Sequence, residues 1–150
     1  LALKRVIESS VTDQIDLEQA TSDLVETLFD DDGRAQHHAD RREQPLSVMQ
    51  WRRVRDRIND SIGVPVSVAD LAQICVLSRA HFSKAFHARV GMAPATYVRL
   101  IKMRAAVERL RYSNQSIIDI ALELGYSNPS KFAAAFRGVF GVTPMEWRSY

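Results

Sequence analysis

The chain has 150 residues, 46% of them hydrophobic and 25% charged, with a formal net charge of +2. That length holds one domain or two small ones, and the balance is that of a globular protein, not a disordered or fibrous one. The longest wholly apolar run is far short of a membrane span. The single cysteine, Cys75, excludes an internal disulfide and any zinc site that needs two cysteines. No basic-then-apolar leader opens the chain, so a cytoplasmic protein is expected. The start at Leu1 suggests a piece of something longer.

The charge divides unevenly. Residues 1–45 carry five Lys/Arg against eleven Asp/Glu, a net of −6, whereas residues 46–150 carry fifteen against seven, a net of +8. Two regions of opposite sign usually do different work, and a compact basic one suggests a polyanionic partner.

In the acidic region, Leu17, Ala20, Leu24 and Leu28 recur at three- and four-residue steps, and Val25 and Phe29 widen the stripe. This period predicts a helix, with Asp16 placed to cap it. Residues 30–45 (DDDGRAQHHADRREQP) have almost no apolar content and read as a flexible linker. The domain boundary therefore falls near residue 45.

Beyond it the apolar period stays helical, and no run alternates as a strand. Trp51, Val54, Ile58 and Ile62 share one helix face, Arg52, Arg53, Arg55 and Arg57 occupy the other side, and Gly63 and Pro65 end the element. Three further helix starts pair a hydroxyl residue with an acid three positions later: Ser67/Asp70, Ser116/Asp119 and Thr143/Glu146. In such a capping box the hydroxyl accepts from a free backbone N–H and the carboxylate reaches back to the cap. Pro144 suits a first helical position.

An internal repeat is the strongest signal. Ser67, Asp70, Ala72 and Ser78 match Ser116, Asp119, Ala121 and Ser127 at an offset of 49. Phe82, Phe86, Gly91, Pro94 and Tyr97 match Phe132, Phe136, Gly141, Pro144 and Trp147 at an offset of 50, so the second copy has one extra residue between Ser127 and Phe132. Each copy reads as a short helix, a tight turn, a capped second helix and a glycine exit. In the first, Val68, Leu71, Ala72 and Cys75 face inward, and Ser78 caps a helix with Phe82, Ala85, Phe86 and Val90 as its buried stripe. Gly91 ends it in the left-handed conformation. Two helices joined by such a turn form a helix-turn-helix, whose second helix can enter the DNA major groove.

The outer face of that second helix carries Arg79, Ala80, Ser83, Lys84 and His87, opposite the phenylalanines and without an acid. Arg and Lys suit guanine edges or phosphates, and Ser and His can donate or accept. A different class of function remains open on these residues: a helical protein-interaction module whose basic face docks an acidic partner.

The duplicated helix-turn-helix, the spacing ALELGYSNPSKFAAAFRGVFGVTP from Ala121 and the intervening helix from Pro94 to Arg111 resemble the DNA-binding domain of AraC-type transcription regulators, over about residues 48–149. The resemblance implies an all-α fold: two helix-turn-helix subdomains bridged by a long linker helix, seven helices in all. That helix would bury Tyr97, Leu100, Met103, Val107 and Leu110. It further implies double-stranded DNA as the partner, activation of bacterial promoters with RNA polymerase as a second partner, and a nucleoid location. A small-molecule effector would act only through a separate domain. By the same resemblance, residues 1–45 are the tail of an effector or dimerisation domain; otherwise they form a solvated amphipathic helix.

Two departures from the family pattern stand out. The first turn has Val76 where the family, and Gly125 in the second copy, have glycine; a β-branched residue is costly at positive φ, so a reshaped first turn is expected. The second recognition helix would present Pro129, Ser130, Lys131, Ala133, Ala134 and Arg137, with alanines where the first copy has Ser83 and Lys84. Alanine can touch a thymine methyl but cannot hydrogen-bond a base edge. The first helix is therefore expected to read bases and the second mainly to position the protein on the backbone, with at most methyl contacts to thymine.

No other chemistry competes. His37 and His38 beside Asp40 lie in a polar linker where side chains rarely converge, so no metal is expected. Cys75 has inward neighbours and reads as an inert thiol. No GxSxG, HExxH or phosphate loop appears, and neither a catalytic site nor a cofactor is expected.

Overall fold

A computed structural model describes residues 44–150; the expected acidic helix, residues 30–43 of the expected linker and the His37–His38 pair lie outside the described residues. Among the described residues there are seven α-helices and no strand: α1 (Val48–Asp60), α2 (Val68–Ile74), α3 (Arg79–Val90), α4 (Pro94–Tyr112), α5 (Ile117–Glu123), α6 (Pro129–Phe140) and α7 (Pro144–Ser149).

The helix starts follow the local chemistry. Full capping boxes form at Ser67/Asp70 and Thr143/Glu146. At the third expected site Ser116 accepts from the Asp119 N–H, but the Asp119 carboxylate takes the Ser116 hydroxyl at 2.7 Å. A fourth box, Ser47/Gln50, opens α1 with an amide in place of the acid. The cap of α6 is Asn128, whose Oδ1 accepts from the Lys131 N–H at 2.8 Å. Asn128, not Ser127, is thus the counterpart of Ser78, and the extra residue of the second copy lies in the turn before it.

The two phenylalanine stripes anchor two cores. Leu46, Trp51, Val54, Phe82, Phe86 and Tyr97 are buried in the first; its rings meet edge-on, with Trp51 to Phe86 at 5.8 Å and Phe86 to Tyr97 at 5.7 Å between centroids. Ile120, Leu124, Phe132, Phe136, Phe140 and Trp147 fill the second, where Phe136 lies 4.5 Å from Phe140 and 5.6 Å from Trp147. Tilted and edge-on rings at these separations contribute beyond their buried area.

Helix α4 serves both cores. Its N-terminal half gives Tyr97 and Ile101 to the first, and its C-terminal half gives Met103, Ala105, Ala106 and Leu110 to the second. Leu100 and Val107, expected inside, are half-buried at the margins. A helix that touches two cores buries more than one stripe, which a single-stripe period does not capture.

The turns of the two repeats superpose in their hydrogen bonding despite Val76. The Val76 and Leu77 amides donate to Gln73 and Ala72 at 3.0 Å each, and the equivalent Gly125 and Tyr126 amides donate to Leu122 and Ala121 at 2.9 Å each. Val76 holds φ 56° and Gly125 φ 77°. The first turn is therefore not reshaped; Val76 accepts the strained conformation instead.

Candidate nucleic-acid interface

The buried stripe of α3 (Phe82, Ala85, Phe86, Val90) fixes what the helix turns outward. Arg79, Ala80, Lys84 and His87 are exposed on that side and Ser83 is half-buried. Ser83, Lys84, His87 and Ala88 line an open depression of the surface. Ala88 had no signal in the sequence beyond its position in the helix. The N-terminus of α3 is held by Ser78, whose hydroxyl accepts from the His81 N–H at 3.2 Å.

Helix α6 is built the same way. Phe132, Phe136 and Phe140 face inward, while Ser130, Lys131, Ala134 and Arg137 are exposed and Pro129 and Ala133 are half-buried. The structure thus gathers each set of sequence-predicted residues on one uncovered helix face. Neither helix contains a carboxylate.

The neighbouring acids are turned to other partners. Asp70 is held below the usual carboxylate range by the Ser67 backbone N–H, then by the Ser67 hydroxyl and the Arg57 charge. Glu146 is lowered by the Thr143 backbone N–H, then by the Thr143 hydroxyl and Arg137. Glu123 meets Arg109 at 3.1 Å. Arg137 therefore has a carboxylate, that of Glu146, within electrostatic reach.

The first turn has a support that sequence reasoning missed. Gln50 accepts from the Ser47 N–H through Oε1 and donates from Nε2 to the Cys75 carbonyl, both at 3.0 Å. A surface-patterned glutamine gives no sign of such a contact. Cys75 is a buried free cysteine, and burial pushes its thiol up, which keeps it in the unreactive protonated form. Among the described residues no three His, Cys, Asp or Glu side chains gather as a metal-holding group. No helix among them is long and apolar enough to cross a membrane.

Residues 71–150 match the family model described as a helix-turn-helix domain. An HTH-type transcriptional regulator of Haemophilus influenzae is 31% identical over 81 residues, which are 54% of this chain and 27% of that protein. The transcriptional activator AarP of Providencia stuartii is 30% identical over 83 residues, 55% of this chain and 62% of that protein. The crystal structure of a transcriptional regulator from Chromobacterium violaceum, of the proteins containing an AraC-type DNA-binding domain, is 26% identical with a TM-score of 0.61. That likeness covers 67% of this chain and 90% of the other. The chain thus spans about a quarter of the first relative's length and under two thirds of the second's. The repeat, the two cores joined by α4 and the matched family model agree, and the chain belongs to the AraC-type helix-turn-helix family of transcription regulators.

Proposed function

We propose that residues 46–150 are the sequence-specific, double-stranded DNA-binding module of a bacterial transcription regulator, with α3 reading base edges and α6 mainly holding the phosphate backbone, its base contacts being at most those of Ala133 and Ala134 with thymine methyls. One observation carries this: two capped helices expose faces that hold cations and hydrogen-bonding groups and no carboxylate, while nearby acids are tied to helix starts or to arginine. A polyanion meets no fixed negative charge on either helix. Arg79 and Lys84 suit guanine edges, and Ser83 and His87 add donors and acceptors.

Both helix-turn-helix units are on one chain, so a single copy engages two successive major-groove segments, about 34 Å or 10 base pairs apart. The site is then asymmetric and needs no palindrome. Family membership and the activator AarP among the relatives support a role in activation at promoters, in the cytoplasm at the nucleoid, with RNA polymerase as a second partner. An effector acts through a part of the protein outside residues 46–150, and residues 1–45 are the tail of an effector or dimerisation domain and its linker to the DNA module.

The test is selection from random duplexes with excess heterologous DNA present. Sequence-specific binding survives the competitor; a basic surface that docks an acidic protein shows no preference between duplexes. Loss of all selected binding under competition, or a strict inverted repeat occupied by two copies, overturns the proposal.

A further inference from the structure

The two helix-turn-helix units, the heads of the molecule, touch at a second place besides α4. Gly63, in the turn after α1, lies against the end of α5: a Cβ added to it would sit 2.6 Å from the Glu123 carbonyl oxygen. A Cβ on Gly125 would meet the Gly63 carbonyl oxygen at 2.8 Å and its carbon at 3.1 Å. These obstacles are backbone atoms, which cannot swing aside as a side chain would. Gly125 also needs its positive φ, but Gly63 does not hold one. The close approach alone accounts for glycine at position 63.

Three other contacts brace this seam. Lys102, in the middle of α4, donates from Nζ to the Leu124 carbonyl at 2.9 Å, at the C-terminal end of α5 where a cation is favoured. The same Nζ lies 5.8 Å from the centre of the Tyr126 ring, and burial lowers the Lys102 pKa. Ile62, next to Gly63, packs against both cores.

We propose that Gly63 and Lys102 are positioning residues that fix the relation between the two heads, and so set the half-site spacing that the protein accepts. This rests on the DNA-binding reading above. A single helix is a rod about which two heads can still bend and twist; a second contact off its axis removes that freedom. Adding one base pair between the bases read by α3 and the thymine methyls within reach of Ala133 and Ala134 on α6 moves the second set by about 3.4 Å and turns it by about 34–36°. Heads locked by the seam cannot follow such a change, whereas heads with an opened seam can.

The experiment has a DNA-free arm and a DNA arm, both on the full chain. For the first, nitroxides at Ala88→Cys and Gly138→Cys, in a Cys75→Ala background, report the distance distribution between α3 and α6 by electron–electron resonance. A narrow distribution is expected, broadened or shifted by Gly63→Ala and by Lys102→Met. For the second, the selected site is lengthened and shortened by one base pair. The parent chain should lose about tenfold or more in affinity at either altered spacing, and the variants about threefold or less, with weaker binding at the original spacing. Lys102→Met keeps the buried stem, so it carries the test if Gly63→Ala fails to fold. Unchanged distance distributions and spacing preference in the folded variants overturn the proposal. Absence of any DNA binding by the parent overturns the DNA reading instead, and the distance arm still decides whether the seam fixes the heads.

Discussion

Val76 occupies the same turn position as Gly125 and holds nearly the same left-handed backbone, φ 56° against 77°. The two turns make equivalent hydrogen bonds, so the surrounding helices impose the conformation whatever residue is present. The reasons for glycine differ, however. Gly125 lies against the Gly63 carbonyl, where no Cβ fits, whereas the Val76 side chain is 89% exposed. Only the second position is closed to a side chain by its neighbours.

Val76→Gly should therefore stabilise the first unit. The left-handed region costs an L residue about 1–2 kcal/mol, against about 0.5–1 kcal/mol of added chain entropy for glycine. An exposed side chain forfeits little packing on removal. A net gain of about 0.5–1 kcal/mol is expected, which is a rise of a few degrees in Tm for a domain of this size. A lower Tm in thermal melts would mean that Val76 makes a contact outweighing its strain.

The two cores should respond separately to truncation. Phe86 and Phe136 are both fully buried, each against aromatic rings of its own unit. Phe86→Ala and Phe136→Ala should each cost about 3–5 kcal/mol. Hydrogen exchange should then rise most in α1–α3 for the first and in α5–α7 for the second. Unchanged melting in either variant would refute its place as an anchor.

Acid should weaken two helix starts. Asp70 and Glu146 have folded-state pKa values below their ordinary ones, first through the backbone N–H of Ser67 and of Thr143. A depressed carboxylate contributes stability that is complete above its unfolded pKa and disappears as pH falls through the folded one. The deficit of Asp70→Asn and Glu146→Gln relative to the parent should thus be full near neutral pH and shrink below the ordinary carboxylate range. Melts at several pH values check this; a deficit independent of pH would mean that the carboxylate charge contributes nothing.

Much of this architecture was legible because it repeats. Matching Phe82 and Phe86 to Phe132 and Phe136 located both cores, and the hydroxyl-to-acid spacings located helix starts. Contacts between residues without a period were not legible. Nothing in the sequence pairs Gly63 with Glu123, Lys102 with Leu124 or Gln50 with Cys75, since each joins elements far apart in the chain. The repeat pairs Ser127 with Ser78 although Asn128 is the cap of α6, because serine and asparagine are both good caps and the extra residue can be assigned to either side. Exposed faces follow from buried stripes, so the exposure of the candidate residues is legible as a group; which of them meets a base is decided by groove geometry that no helix pattern contains.

The last prediction divides labour between the helices. Arg79 and Lys84 are exposed on α3 beside half-buried Ser83, and α6 offers Ala133 and Ala134 at the positions equivalent to Ser83 and Lys84. Arg137 is exposed but lies within reach of the Glu146 charge, which weakens the positive field it offers to DNA. Losing a base-reading side chain should cost about 1–3 kcal/mol and relax preference at one position, whereas losing a phosphate contact weakens all sequences alike and lowers the salt slope by about one. Arg79→Ala and Lys84→Ala are therefore expected to change the selected sequence, and Arg137→Ala to reduce affinity while leaving it the same. Parallel selections with the parent and the three variants, with binding measured at several salt concentrations, provide the comparison. If Arg137→Ala alone altered the preferred sequence, α6 would be the reading helix and α3 the positioning one.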